Sequence, residues 1–317
     1  MSKHCSLQET AALLQAANKI VLCSHVSPDG DTLGSALSLR LALQKLGKTV
    51  LVTVDDEISK VYKFFPGIET FVRFHDEERL EADLLVVIDA SSLDRAGNVA
   101  QCVRAPKMLN IDHHISNTEY ADYLYLDTAA AATGEIMYEL IGLLGVELDL
   151  EMAICIYTAL YTDCGSFKYS NTTPKTMRTA ANLLEMGVKP NEISDSMEIK
   201  PRSNIEMLTK VLETLAFEAD GQIAYISINQ EMYNKDVDTD TFISYPRYIE
   251  GVEVAVMFKA VDDTVTRISM RSRNLDVSGI AIAFGGGGHL RAAGCTIEAP
   301  LAEAQQQLLQ AVKARLA

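Results

Sequence analysis

The stretch SHVSPDGDTLGS, residues 24–35, sets His25, Asp29 and Asp31 close together behind the apolar run Ile20-Val21-Leu22-Cys23. The same residue types recur as Asp89 in VVIDASS, Asp112-His113-His114 in NIDHHIS and Asp163 in LYTDCGS. Carboxylates and imidazoles together suit divalent cations. Two ions about 3.5–4 Å apart need one shared carboxylate and several further anionic or imidazole donors. Asp29, Asp31, Asp89 and Asp163 with His25 and His113 can supply that number. Mixed Asp/His ligation suits Mn²⁺, Fe²⁺, Co²⁺ or Zn²⁺ better than Mg²⁺, which prefers oxygen alone. Such a pair of ions neutralises a bound phosphate and activates water near neutral pH. The single-zinc pattern His-Glu-x-x-His is absent from the sequence.

Taken one at a time, these residues have plainer readings. Pro28-Asp29-Gly30 is turn chemistry, Asp31 before Thr32-Leu33 is a helix N-cap, and His25 is a polar residue closing a strand. The elements that carry them decide. KIVLCSH (19–25), TVLVTVD (49–55), ADLLVVIDAS (82–91) and KMLNIDHH (107–114) are nearly continuous apolar runs, as expected of a parallel sheet covered on both faces. LGSALSLRLALQKLG between the first two has mostly helical spacing and ends at Gly47. Further helices are expected at about 131–144, 149–162 and 174–187. Three of the four strands end in an acid or a histidine, and the carboxyl ends of parallel strands line one crevice. Asp163 closes a helix able to reach the same crevice.

At 317 residues two domains are expected. VKPNEISDSMEIKPRSN (188–204) reads as a linker or a short linking helix. Beyond it come a helix near 204–217, strands QIAYISIN, VEVAVMFKAV and VTRISMRSR, the last two as a hairpin, and a closing helix over 301–316. The formal net charge of −15 gives no broad basic surface for a long duplex, and a small anion in a local pocket stays open. No apolar stretch is long enough to span a membrane. The polar N-terminus and six scattered cysteines fit a reducing cytoplasm. Four glycines at 285–288 sit before His289, with Arg271, Ser272 and Arg273 nearby in sequence. A glycine loop leading into a helix offers N–H groups to phosphate, and arginine forks grip phosphate in pairs of hydrogen bonds. A flexible linker and a surface arginine pair are the plainer readings of the same residues.

With these motifs in this order, the sequence resembles the DHH phosphoesterases over nearly its whole length. SHVSPDGDTLGS resembles the first family motif, VVIDASSLDRAG the second, NIDHHISN the third and YTALYTDCGSFKYSNTT the fourth. RSRNLDVSGIAIAFGGGGHLRAAGC resembles the signature of the DHH-associated C-terminal domain. The compact length most resembles the stand-alone nanoRNase and 3′-phosphoadenosine 5′-phosphate (pAp) phosphatase branch. The resemblance implies an α/β catalytic domain over 1–188 with a mainly parallel sheet, a linker over 189–204, and a smaller α/β substrate-binding domain over 205–317. It places the active site in the cleft between them. His25, Asp29 and Asp89 would bind one ion, and Asp31, Asp89, His113 and Asp163 the other. His114 would serve the scissile phosphate or leaving oxygen, with Asp112 supporting the histidines. Arg271, Ser272, Arg273, Gly286, Gly287, Gly288 and His289 would hold the substrate's far end. Cys164 stands where the family pattern has threonine, either as a soft extra ligand or as a packed neighbour.

The expected protein is thus a two-metal phosphohydrolase using Mn²⁺. It trims short oligoribonucleotides to mononucleotides and dephosphorylates pAp. Two alternatives are carried: a phosphodiesterase for cyclic di-AMP or linear dinucleotides, and a nucleotide sensor without turnover. Neither long duplex nucleic acid nor a membrane is an expected partner, and a homodimer is left open.

Overall fold

A computed structural model describes residues 2–74, 79–232, 234, 237 and 239–316, with the His289 side chain outside the described residues. The chain divides into two compact units, residues 1–199 and 200–317.

The first unit is built on seven parallel strands: β1 (Lys3–His4), β2 (Lys19–Ser24), β3 (Thr49–Thr53), β4 (Phe71–Val72), β5 (Leu84–Ile88), β6 (Met108–Asp112) and β7 (Tyr123–Leu126). Their order is β1-β7-β6-β5-β2-β3-β4. The apolar runs are continuous because both faces are covered. Ile20, Leu22, Val86 and Ile88 pack into the larger core, while Val21, Cys23, Leu85 and Val87 pack into a second core on the other face. Three short strands, β1, β4 and β7, join the four that the apolar runs predict. Being two to four residues long, they carry no periodicity of their own.

The larger core is closed by helices α1 (Leu7–Ala16), α2 (Gly30–Lys45), α3 (Thr133–Leu143), α4 (Leu150–Asp163) and α5 (Pro174–Glu185). α2 and α4 pack without a gap. A Cβ at Gly34 would overlap the Cys155 carbonyl oxygen, and one at Gly30 would lie 2.6 Å from Thr162 Cγ2. Glycine at these two positions therefore lets the end of α4, with Asp163, approach the start of α2. Residues 190–198, inside the stretch read as a linker or a short linking helix, form helix α6 (Pro190–Glu198).

The second unit opens with α7 (Arg202–Leu212), five residues shorter at its end than the 204–217 expectation. β8 (Ala216–Glu218) follows, because those residues pair antiparallel with β9 (Ile223–Ile228). β10 (Val254–Ala260), β11 (Thr266–Ser272), β12 (Gly287–His289) and β13 (Ala292–Ile297) complete a sheet of order β8-β9-β10-β11-β13-β12. β10 and β11 form the expected hairpin. Helices α8 (Ser278–Ala283) and α9 (Leu301–Leu316) add apolar side chains to its core. Among the described residues no helix is long and apolar enough to cross a membrane.

Candidate active site

The sheet order places the chemical residues side by side. β5 lies between β2 and β6, in register so that Ser24 pairs with Ile88 and Ile88 with Ile111. His25, Asp89 and Asp112 are each the next residue along, so the three strands deliver them to one rim. The loops beyond add Asp29, Asp31, His113 and His114, and α4 adds Asp163.

The helix cap differs from the sequence reading. Asp29, not Asp31, caps α2, accepting from the Asp31 N–H at 3.0 Å and the Thr32 N–H at 3.1 Å. That frees Asp31, fully buried, to turn into the cluster. There it accepts from the N–H groups of Thr133 (2.7 Å) and Gly134 (2.8 Å) at the start of α3, and from Ser35 Oγ (3.2 Å).

Two sets of donors result. His25, Asp29 and Asp89 form one, and Asp31, His113 and Asp163 the other; within each, the ligating atoms lie within 4.8 Å of one another. Asp89 faces both. Its Oδ2 is 3.5 Å from His25 Nε2 and its Oδ1 is 3.5 Å from His113 Nε2. His113 Nε2 is also 3.8 Å from Asp31 and 3.7 Å from Asp163. These gaps are too long for hydrogen bonds. They match atoms sharing a cation, since ligands about 2.1 Å from a tetrahedral ion are about 3.4 Å apart. Accordingly, His113 Nε2 is buried without a hydrogen-bond partner. Its other nitrogen, Nδ1, lies 3.2 Å from the Ala130 carbonyl. His25 Nδ1 lies 2.8 Å from Val26 O and 2.9 Å from Arg95 Nη2. In the tautomer that donates to Val26, His25 Nε2 aims its lone pair at Asp29 and Asp89. The donor set fits divalent cations.

Electrostatics point the same way. Burial, reinforced by Asp89, Asp163 and Asp29, pushes the Asp31 carboxyl well above its usual range. Burial also lifts Asp163, with Asp89 and Asp29 adding to it against His113, up to about 6. Burial alone would lower His25, but the adjoining Asp29 and Asp89 carboxylates carry it up to about 9. Both directions have one cause: a nearly dry volume holding more negative charge than its own cations balance. Cations bound there must displace these protons. Mn²⁺ affinity, read by calorimetry without substrate, should therefore climb as pH rises from about 6 to about 9, the span of the Asp163 and His25 values. A flat profile would contradict ligation by these atoms.

A third grouping, Asp89, His113 and His114, is weaker. His114 Nδ1 is committed to Asp112 Oδ1 at 2.7 Å, against 3.7 Å to Asp89. Burial tends to lower His114, but the Asp112 hydrogen bond and the neighbouring carboxylates raise it above its usual value. Cys164 is fully buried, and burial pushes its thiol up to about 12. Among the described residues it joins none of the donor sets, so it packs as a neutral thiol.

Several residues at the rim escaped sequence reasoning. Thr133 donates its hydroxyl to Asp89 Oδ1 at 2.9 Å, and Arg95 meets His25. Asn110 and Asn117 brace the loop from below. Of these, only Asn117 had a signal, a polar residue just after the His pair.

In the second unit, Arg271 and Arg273 flank Ser272. Arg273 is exposed and donates to Ile249 O at 3.2 Å. Ser272 is fully buried, and its hydroxyl donates inward to Leu275 O. The glycine run corrects the expectation of a loop leading into a helix. Gly287 and Gly288 lie in edge strand β12, paired with β13. A Cβ at Gly286 would overlap the Gly294 carbonyl and lie 2.6 Å from Cys295 Cβ, so a tight strand approach is one reason for glycine there.

A doubly covered parallel sheet whose strand ends gather two sets of carboxylates and imidazoles around one aspartate defines an α/β protein fitted to hold metal ions. The DHH family N-terminal domain matches residues 19–160, and the DHHA1 domain matches residues 220–317. The chain belongs to the DHH family. It is 35% identical to the bifunctional oligoribonuclease and PAP phosphatase NrnA of Thermus thermophilus, over 94% of this chain and 90% of that one. To the protein of the same name in Bacillus subtilis it is 27% identical, over 88% and 89%. Among solved structures, an exopolyphosphatase-related protein from Bacteroides fragilis superposes with a TM-score of 0.90 at 28% identity, over 97% and 95% of the two chains.

Proposed function

We propose that this protein is a metal-dependent phosphohydrolase that degrades short oligoribonucleotides to mononucleotides and dephosphorylates pAp. The single observation that carries the reading is Asp89, one buried carboxylate with an oxygen turned toward each of two donor sets. The names of the Thermus and Bacillus relatives supply the substrate class. Two divalent ions, Mn²⁺ first among them, would supply charge neutralisation and an activated water.

His25, Asp29 and Asp89 would hold one ion, and Asp31, Asp89, His113 and Asp163 the other. Asp112 fixes His114 through Nδ1, which leaves Nε2 for the phosphate or the leaving oxygen. The raised His114 value keeps a proton there to give. In the second unit Arg271 and Arg273 would take a distal phosphate. The six cysteines, none paired, fit a reducing cytoplasm.

Substrate length tests this. With a net charge of −15, each phosphate beyond those in the pockets gains little attraction or meets repulsion. The ratio kcat/KM should peak for RNA of two to about five nucleotides and depend weakly on salt, because few phosphates are contacted. A labelled length series at two salt concentrations measures it. Activity rising steadily beyond about ten nucleotides with a steep salt slope would replace this reading with a processive exonuclease.

A further inference from the structure

Asp89, on which both donor sets converge, has a left-handed backbone, φ +60°. Aspartate visits this region more readily than most residues, yet it does not choose it unaided. Hydrogen bonds fix the chain on both sides. The Asp89 N–H donates to Ile111 O at 2.9 Å, and Thr32 Oγ1 donates to Ile88 O at 3.0 Å. Asn110, fully buried in β6, spans the turn: its Nδ2 donates to Val87 O at 3.1 Å and to Ala90 O at 3.3 Å.

The far end of the same amide leads to the other half of the site. Asn110 Oδ1 accepts from Asn117 Nδ2 at 2.8 Å, and that nitrogen also donates to Asp112 Oδ2 at 2.6 Å. Asp112 Oδ1 in turn meets His114 Nδ1 and the His113 N–H. Asn117 Oδ1 accepts from the Glu119 N–H at 2.8 Å, which fixes the amide's orientation. Each amide group thus has both N–H donors engaged, and neither can flip without losing partners.

We propose that Asn110 and Asn117 form one positioning pair that aligns the metal-bridging and proton-donating halves of the site together. Asn110 holds the turn that shows one Asp89 oxygen to each donor set. Asn117 holds Asp112, and through it His114, in register with that turn. The proposal rests on the metal-site reading above and adds residues that touch neither the donor sets nor substrate.

The test uses the whole chain: Mn²⁺ binding without substrate, followed by electron paramagnetic resonance of the free ion, beside thermal melting and turnover of a short RNA. Asn110→Ala should weaken Mn²⁺ binding about 10- to 100-fold, the usual effect of losing an outer support. Asn117→Ala should lower kcat with a smaller loss of Mn²⁺ affinity, since it reaches Asp89 only through Asn110. In the double variant the kcat loss should fall short of the product of the two single losses. If Asn110→Ala melts below the assay temperature, Asn110→Ser, which keeps one donor, should still bind Mn²⁺ more weakly than wild type. Wild-type Mn²⁺ affinity in a folded Asn110 variant, or single losses that multiply fully, overturns the pair. A wild-type protein that binds Mn²⁺ but cleaves no RNA refutes the substrate assignment and leaves the Mn²⁺-binding comparison of the Asn110 variants standing.

Discussion

Asp89→Ala should lose at least about 10³-fold in kcat/KM while the protein stays folded. Charge stabilisation by metal ions contributes several kcal/mol, and each ~1.36 kcal/mol is tenfold in rate. Among the described residues no other carboxylate approaches both His25 and His113, so one substitution weakens both sets at once. Folding should survive, because the change removes a buried anion that repels Asp31 and Asp163. Alanine is less at ease than aspartate at φ +60°, so Asp89→Asn is the companion variant. It keeps the turn but offers a neutral amide, a poor ligand, and should fall nearly as far. The measurement is turnover of a short RNA beside thermal melting of each variant. Wild-type turnover in either folded variant would remove the shared-carboxylate model.

His114→Ala should lower kcat by about 10² to 10⁴, the usual range for a lost general acid, and leave Mn²⁺ binding close to wild type. The second half separates two roles. His114 Nδ1 is spent on Asp112 at 2.7 Å, so in the proposed mechanism the ring would serve substrate through Nε2 and would not be needed to hold an ion. Were the Asp89-His113-His114 grouping the true metal set, Mn²⁺ affinity would fall in parallel with kcat. Direct binding of Mn²⁺ to the variant decides between the two.

The rim residues were legible because their signal is local. Each follows an apolar run, and a parallel sheet sends the ends of such runs to one edge. What holds them was not legible. Asp31 is satisfied by backbone N–H groups of Thr133 and Gly134, about a hundred residues away, and a backbone donor leaves no mark in residue type. Asn110 reads as one polar letter in an apolar strand, and only the register with β5 shows that it spans the Asp89 turn. The helix cap fell on Asp29 because either aspartate satisfies the capping preference, and the N–H groups of Thr133 and Gly134 at the start of α3 hold Asp31 inward. The glycine run misled for a related reason. Four glycines suit a flexible loop and a strand needing close approach equally well, and the neighbour that decides, β13, is reached only in the fold.

In the proposed enzyme two ions would share Asp89 and act on very short RNA. The most direct test of that sharing is hydrolysis of a labelled diribonucleotide by protein stripped with chelator and then titrated with Mn²⁺ at protein concentrations above the binding constant. Turnover to mononucleotides should be near zero in the stripped protein and reach its plateau at the second equivalent of Mn²⁺ per chain. Full turnover in chelator, or a plateau at one equivalent, would contradict it.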